Sequence, residues 1–200
     1  VPANAPAPAA PRPELVLVPL GDLDLALLDP VLAALRAALP VDVRPAPAVP
    51  LPAAAYYAPR RRYRADRLLD HLVALADGYG PATRVLGLTD VDISTTKAPH
   101  ADWGVFGLAY LPGRAAVVST YRLRRRARDP EHLARRLAVT AIHEVGHSLG
   151  LDHCPEPRCP MQDAEGSIAN TDTSHLHLGP ACAARLRALG LPQEPAPGRP

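Results

Sequence analysis

Large aromatic and flexible apolar side chains are almost missing from this chain: its 200 residues include one Phe, one Trp and one Met. The core must therefore be built mostly from Leu, Val and Ala, a composition that goes with GC-rich coding. Cysteine is also scarce. There are three, Cys154, Cys159 and Cys182, all in the last quarter of the chain. An odd count argues against a pure disulfide framework, and their position beside histidines points to metal. No apolar stretch reaches the length of a membrane span, so no membrane association is expected. No charge dominates either, since the formal net charge of +2 points to no particular partner. Two arginine runs, residues 60–64 and 122–128, break that balance. They read as solvated loop or helix faces; no aromatic interleaving prepares them to stack on bases, and no nucleic-acid partner is expected. The chain starts at Val1 in place of Met, a start that fits processing or truncation and leaves room for a removed leader.

What is abundant is punctuation. Twenty-five prolines concentrate in the first residues, in residues 45–59 and at the end. Residues 1–13 read as a flexible Pro/Ala-rich tail, residues 45–59 as a surface loop and residues 192–200 as a second tail. Between them, Leu15-Val16-Leu17-Val18 is a buried-strand run, and residues 24–39 carry leucines at helical spacing with Asp29-Pro30 as a possible start. Residues 41–44 follow as a strand, so this strand–helix–strand unit favours a parallel pair. Residues 64–79 form an amphipathic helix ended by glycine. Strands are expected at residues 84–88, 105–110 and 115–120, the last two joined by a turn at Pro112-Gly113. A short helix is expected over residues 181–189.

The most informative segment starts at Asp129. Asp129 suits a helix cap, Pro130 the first helical position and Glu131 the positive end of the helix. Leu133, Leu137, Ala141 and Val145 give that helix an apolar stripe, and Gly150 ends it. On it lies His143-Glu144-Val145-Gly146-His147. Four residues advance a helix by just over one turn, so both imidazoles project from one face and can reach one metal ion. Glu144 beside them can take a proton from a metal-activated water and later give one to a leaving amine. The run continues through Gly150 to His153, completing H-E-x-x-H-x-x-G-x-x-H, the metzincin pattern. A continuing helix would carry the third histidine away. Gly150 can adopt the positive φ of a sharp exit, which returns His153 as third ligand and leaves the fourth position open. Met161, eight residues after His153, is placed to form the Met-turn beneath such a site.

Beyond this point the sequence resembles the archaemetzincins, whose zinc motif continues as H-C-x-x-x-x-C-x-M, then seventeen residues, then C-x-x-C. Here the matching residues are His153-Cys154, Cys159, Met161 and Cys182, with Gly179 where the first cysteine of C-x-x-C belongs. Upstream, Gly104-Val105-Phe106-Gly107-Leu108-Ala109, Val117-Val118-Ser119 and Arg122-Leu123 also look like that family. The resemblance implies an α/β fold: a compact metzincin-like domain with a twisted mixed sheet packed on the active-site helix, plus a small C-terminal zinc-bound subdomain. The division expected is a catalytic subdomain over residues 14–153 and a C-terminal subdomain over 154–191.

The resemblance further implies two zinc ions, one catalytic and one structural. With Gly179 supplying no sulfur, the expected structural set is Cys154, Cys159, His177 and Cys182, because residues two apart in an extended segment face the same way; His175 is the rival. A peptide or protein substrate would lie extended along an edge strand, either 105–110 or 115–120, in a narrow-specificity peptidase. Tyr110, Tyr121 and His100 are candidate extra donors. A monomer in the reducing cytoplasm is expected. The alternative is a zinc-stabilised binding or regulatory protein with little peptidase activity.

Overall fold

In the computed structural model, residues 12–164 and 166–191 are described; the two tails expected at the ends lie, but for residues 12 and 13, outside them. The central layer is a five-stranded sheet in the order β2-β1-β5-β9-β8, made of β1 (Glu14–Leu20), β2 (Asp42–Pro45), β5 (Arg84–Thr89), β8 (Gly107–Ala109) and β9 (Ala115–Ser119). β2, β1, β5 and β9 run parallel, and β8 pairs antiparallel with β9. The strand–helix–strand unit at the start is thus a parallel pair, with α1 (Leu28–Ala38) as its crossover. That helix is capped one stage earlier than Asp29: Asp24 accepts a hydrogen bond from the Ala26 amide at 3.0 Å, and a turn of 3-10 helix precedes α1.

β1 and β5 read as continuous apolar runs because both of their faces are covered. Leu15, Leu17, Leu86 and Leu88 face α1 and α4 (Pro130–Ser148), while Val16, Val18, Leu20 and Val85 face α2 (Ala65–Tyr79). With Phe and Trp nearly absent, the long side chains fully buried are almost all leucines, each worth about 1.5–3 kcal/mol on burial. The C-terminal segment carries α5 (Ala169–Thr173) and α6 (Pro180–Ala188). Its Cys154, Met161, Leu178 and Leu186 pack into the same apolar cluster as α1 and α4.

A second, four-stranded sheet was not expected. It has the order β3-β4-β6-β7, formed by β3 (Tyr56–Tyr57), β4 (Arg62–Arg64), β6 (Ile93–Lys97) and β7 (His100–Val105). The first arginine run is therefore part strand. Arg62 and Arg64 are largely covered and surround Asp102, with Arg62 also 3.2 Å from Asp92. In the second run, the four-residue α3 (Thr120–Leu123) holds Arg122, which is bidentate to Asp92 at 2.7 and 3.1 Å. Both runs were expected to be solvated; ion pairing with aspartates distant in sequence covers part of each. The expected strand 105–110 is two strands, because the chain passes from one sheet to the other at Phe106. Among the described residues no helix is long and apolar enough to cross a membrane.

Candidate active site and metal centres

Helix α4 begins as its sequence predicts. Asp129 Oδ1 accepts from the His132 amide at 2.7 Å, and Pro130 opens the first turn. Leu137, Ala141, Ile142 and Val145 lock the helix into the core. His143 and His147, one turn apart, then face a cleft of about 880 Å³ with their Nε2 atoms 3.0 Å apart. Each ring is aimed from behind by a backbone carbonyl: His143 Nδ1 lies 2.8 Å from Pro160 O and His147 Nδ1 2.7 Å from Leu151 O. An Nδ1–H donating to each carbonyl leaves both Nε2 atoms as bare acceptors. The helix ends at Ser148, and Gly150, with a φ of 97°, lets the chain turn back. His153 returns so that the three imidazoles offer donor atoms within 4.8 Å of one another.

This donor set fits a dication. Two bare lone pairs 3.0 Å apart repel, and only a proton or a metal relieves them. Burial, with the nearby His147, pushes the His143 pKa down to about 4, which disfavours the proton. Nitrogens bound tetrahedrally at zinc distances lie about 3.3 Å apart, close to the spacing observed. Met161 lies fully buried beneath the helix, and its backbone carbonyl accepts from the Cys154 amide at 2.9 Å. A Cβ at Gly146 would meet Met161 Sδ at 2.5 Å, so the glycine inside the motif is what allows the Met-turn to sit so close.

Glu144 is 7% exposed, and burial pushes its pKa up to about 8. It lies against β8, the edge strand of the five-stranded sheet; β9 is interior, which decides between the two edge candidates. A Cβ at Gly107 would stand 2.6 Å from Glu144 Cγ and 2.7 Å from Oε1, so this glycine lets the carboxylate lie directly on the strand backbone. The sequence shows Gly107 but not its partner, since thirty-odd residues separate them. Tyr110, Tyr121 and His100 do not line the cleft. Tyr110 instead donates to Asp70 at 2.5 Å, across the sheet from the site.

The three cysteines form a second group, all buried and unbridged, with sulfurs within 4.8 Å of one another. Cys159 and Cys182 sulfurs are 3.8 Å apart, the spacing of about 3.8 Å that tetrahedral thiolates around zinc adopt. The Gly179 amide donates to Cys159 Sγ at 3.4 Å. Burial pushes the Cys159 and Cys182 thiols up, so a cation is needed to hold them as thiolates. His177 is not brought into this group. The chain bends at Leu176–His177 rather than staying extended, so the two-residue alternation fails; His177 is exposed and its ring stacks on His175 with centroids 4.6 Å apart.

Another feature had no signal in the sequence. Arg136, buried inside α4, binds Asp172 of α5 through two nitrogens at 2.6 and 2.8 Å and the carbonyls of Leu123 and Arg125. His132 adds a 2.7 Å contact, and together with Arg136 holds Asp172 down at about 2. This network ties the C-terminal segment to the back of the site helix.

Two histidines one turn apart, a glycine exit, a third histidine and a methionine turn beneath them define a centre of the metzincin class. The family model described as Peptidase family M54 matches residues 26–188. An archaemetzincin of Natronomonas pharaonis is 30% identical, covering 85% of this chain and 97% of its own. The crystal structure of the Methanopyrus kandleri archaemetzincin superposes with a TM-score of 0.76 at 33% identity, covering 91% of this chain and 97% of that one. A zinc-dependent peptidase from Methanocorpusculum labreanum gives 0.74 at 26% identity, covering 86% and 99%. The chain belongs to the archaemetzincins, peptidase family M54, and is a zinc metallopeptidase by membership.

Proposed function

We propose that this chain hydrolyses peptide bonds with a catalytic zinc held by His143, His147 and His153, and with Glu144 as general base and acid. The observation that carries the reading is the convergence of two bare Nε2 atoms beside a buried carboxylate that lies on an edge strand. When bound, zinc supplies a Lewis acid that acidifies water and polarises the scissile carbonyl. The chain's own residues do the rest. Pro160 and Leu151 carbonyls fix the imidazoles, which lowers the reorganisation needed during reaction. β8 offers unpaired backbone groups to an extended peptide, aligning its scissile bond past Glu144. Glu144 takes a proton from the attacking water, and its pKa, raised by burial, suits it to deliver that proton to the leaving amine.

A second zinc at Cys154, Cys159 and Cys182 would then be structural, pinning the Met-turn segment to α6. Substrates are peptides or proteins, and a narrow specificity accords with a cleft beside a short edge strand. Cytoplasmic location accords with thiols that need no oxidation.

The test is cleavage of a mixed peptide pool read by mass spectrometry, comparing zinc-loaded protein with Glu144→Ala. Cuts made only by the unmodified chain are expected. Equal cutting by both would remove Glu144 from the mechanism; no cutting by either would favour the zinc-stabilised binding protein.

A further inference from the structure

The cysteine group has three sulfurs, and a closed tetrahedral site takes four donors. Position 179 contributes no side chain. Its space is nevertheless filled. A Cβ built on Gly179 would fall on Glu156 Oε2, far inside contact distance, with Glu156 Cδ 3.1 Å and Cys159 Sγ 3.5 Å from the same point. The carboxylate of Glu156 thus occupies the volume that a side chain at 179 would need, beside a member of the sulfur group.

Its two oxygens are treated differently. Oε1 accepts from the Ala181 amide at 3.1 Å, in the first turn of α6. Oε2 is buried and has no hydrogen-bond partner among the described residues. A buried carboxylate oxygen without a partner costs on the order of 1–3 kcal/mol or more, and beside three buried sulfurs a cation would satisfy it together with them. The segment also holds its shape: Glu156 stands between Pro155 and Pro157, and its carbonyl accepts from the Cys159 amide at 3.2 Å, closing a turn between two of the cysteines. His177, by contrast, is turned out to solvent.

As placed, Glu156 does not lie within 4.8 Å of all three sulfurs; we propose that its carboxylate, one short side-chain rotation away, swings onto the metal at Cys154, Cys159 and Cys182 as fourth donor, replacing the side chain that Gly179 lacks. The inference rests on the proposed second zinc. Three thiolates and a carboxylate carry the same formal charge as four thiolates, so the site keeps its charge balance while exchanging one soft donor for a hard one. The Ala181 amide, holding Oε1, orients the carboxylate as an outer partner does in other metal sites.

The test uses the full chain titrated with cobalt(II), a spectroscopic stand-in for zinc, following thiolate-to-cobalt absorption together with metal equivalents retained after gel filtration. The unmodified chain should hold two equivalents, one with thiolate absorption. Glu156→Gln keeps the shape but removes the charge; it should weaken the thiolate-absorbing site by more than about 100-fold, beyond the loss typical of an outer partner, and leave the other site loaded. Glu156→Ala combined with Gly179→Cys should restore that affinity and raise the thiolate absorption by about a third, as three sulfurs become four. His177→Ala should change neither. Unchanged affinity in Glu156→Gln, or loss in His177→Ala, would overturn the assignment of Glu156 while leaving the second metal in place. An unmodified chain holding one equivalent, with no thiolate absorption, would instead overturn the second metal itself.

Discussion

The histidine and cysteine groups are neighbours in sequence, His153 adjoining Cys154, and each brings three donor atoms within 4.8 Å. They differ in what surrounds the fourth position. The histidines open on a cleft of about 880 Å³ beside Glu144 and an edge strand, with His153 itself exposed. The cysteines are all buried, and the space beside them is taken by Glu156. Each group clusters three donors, so the contrast lies in access: an ion at the first group would meet water and substrate, while an ion at the second would be closed off and would hold chain segments together.

The largest effect that would sharpen this contrast is on turnover. Glu144→Gln should lower kcat/KM by about 10²–10⁴-fold while both metals stay bound and Tm stays within a few degrees. If cleavage and metal content fell together, Glu144 would be maintaining the site rather than moving a proton. Next come the ligands. His153→Ala should cost one metal equivalent and activity with a small change in Tm, whereas Cys159→Ser should cost the other equivalent and destabilise by several kcal/mol, read by thermal melting with metal analysis. Equal loss of stability in both variants would erase the distinction between the two groups.

Smaller effects test the supports. Gly146→Ala puts a methyl on Met161 Sδ and should cost about 1–3 kcal/mol in denaturant unfolding, with weaker metal binding at the histidines. Asp172→Asn leaves Arg136 with a buried, half-paired charge and should cost about 2 kcal/mol near pH 7, a value reduced because Asp172 is a third exposed. The folded pKa of Asp172 is depressed to about 2, so this contribution is complete above the ordinary carboxylate pKa and disappears as pH falls from about 4 to 2. The stability gap between the two proteins should therefore close over that range; a constant gap would mean that the ion pair contributes nothing.

The histidine group was legible because local rules determine it. A helix period, a cap and a glycine exit bring His143, His147 and His153 together without reference to distant residues, and the apolar runs of β1, β5 and β9 announce a covered sheet in the same way. What was hidden depends on long-range contact. Arg62 and Arg64 look like solvent-facing charge until Asp92 and Asp102 come to lie beside them in the second sheet. Arg136 meets Asp172 only after the C-terminal segment folds back, 36 residues on. His177 was inferred from strand alternation that a bend at Leu176–His177 removes. Glu156, a carboxylate between two prolines, carries no ligand signature in the sequence; its unpartnered oxygen over Gly179 is what marks it.

The most direct test is stepwise removal of metal from the fully loaded chain with a graded chelator, following peptide cleavage and near-ultraviolet circular dichroism in one series. The open histidine group should release its ion first, so cleavage should vanish at the loss of one equivalent while the dichroism remains native, and the fold should fail only when the second ion leaves. Cleavage that survives the first equivalent, or that disappears only as the fold does, would contradict the assignment of chemistry to the histidines and structure to the cysteines.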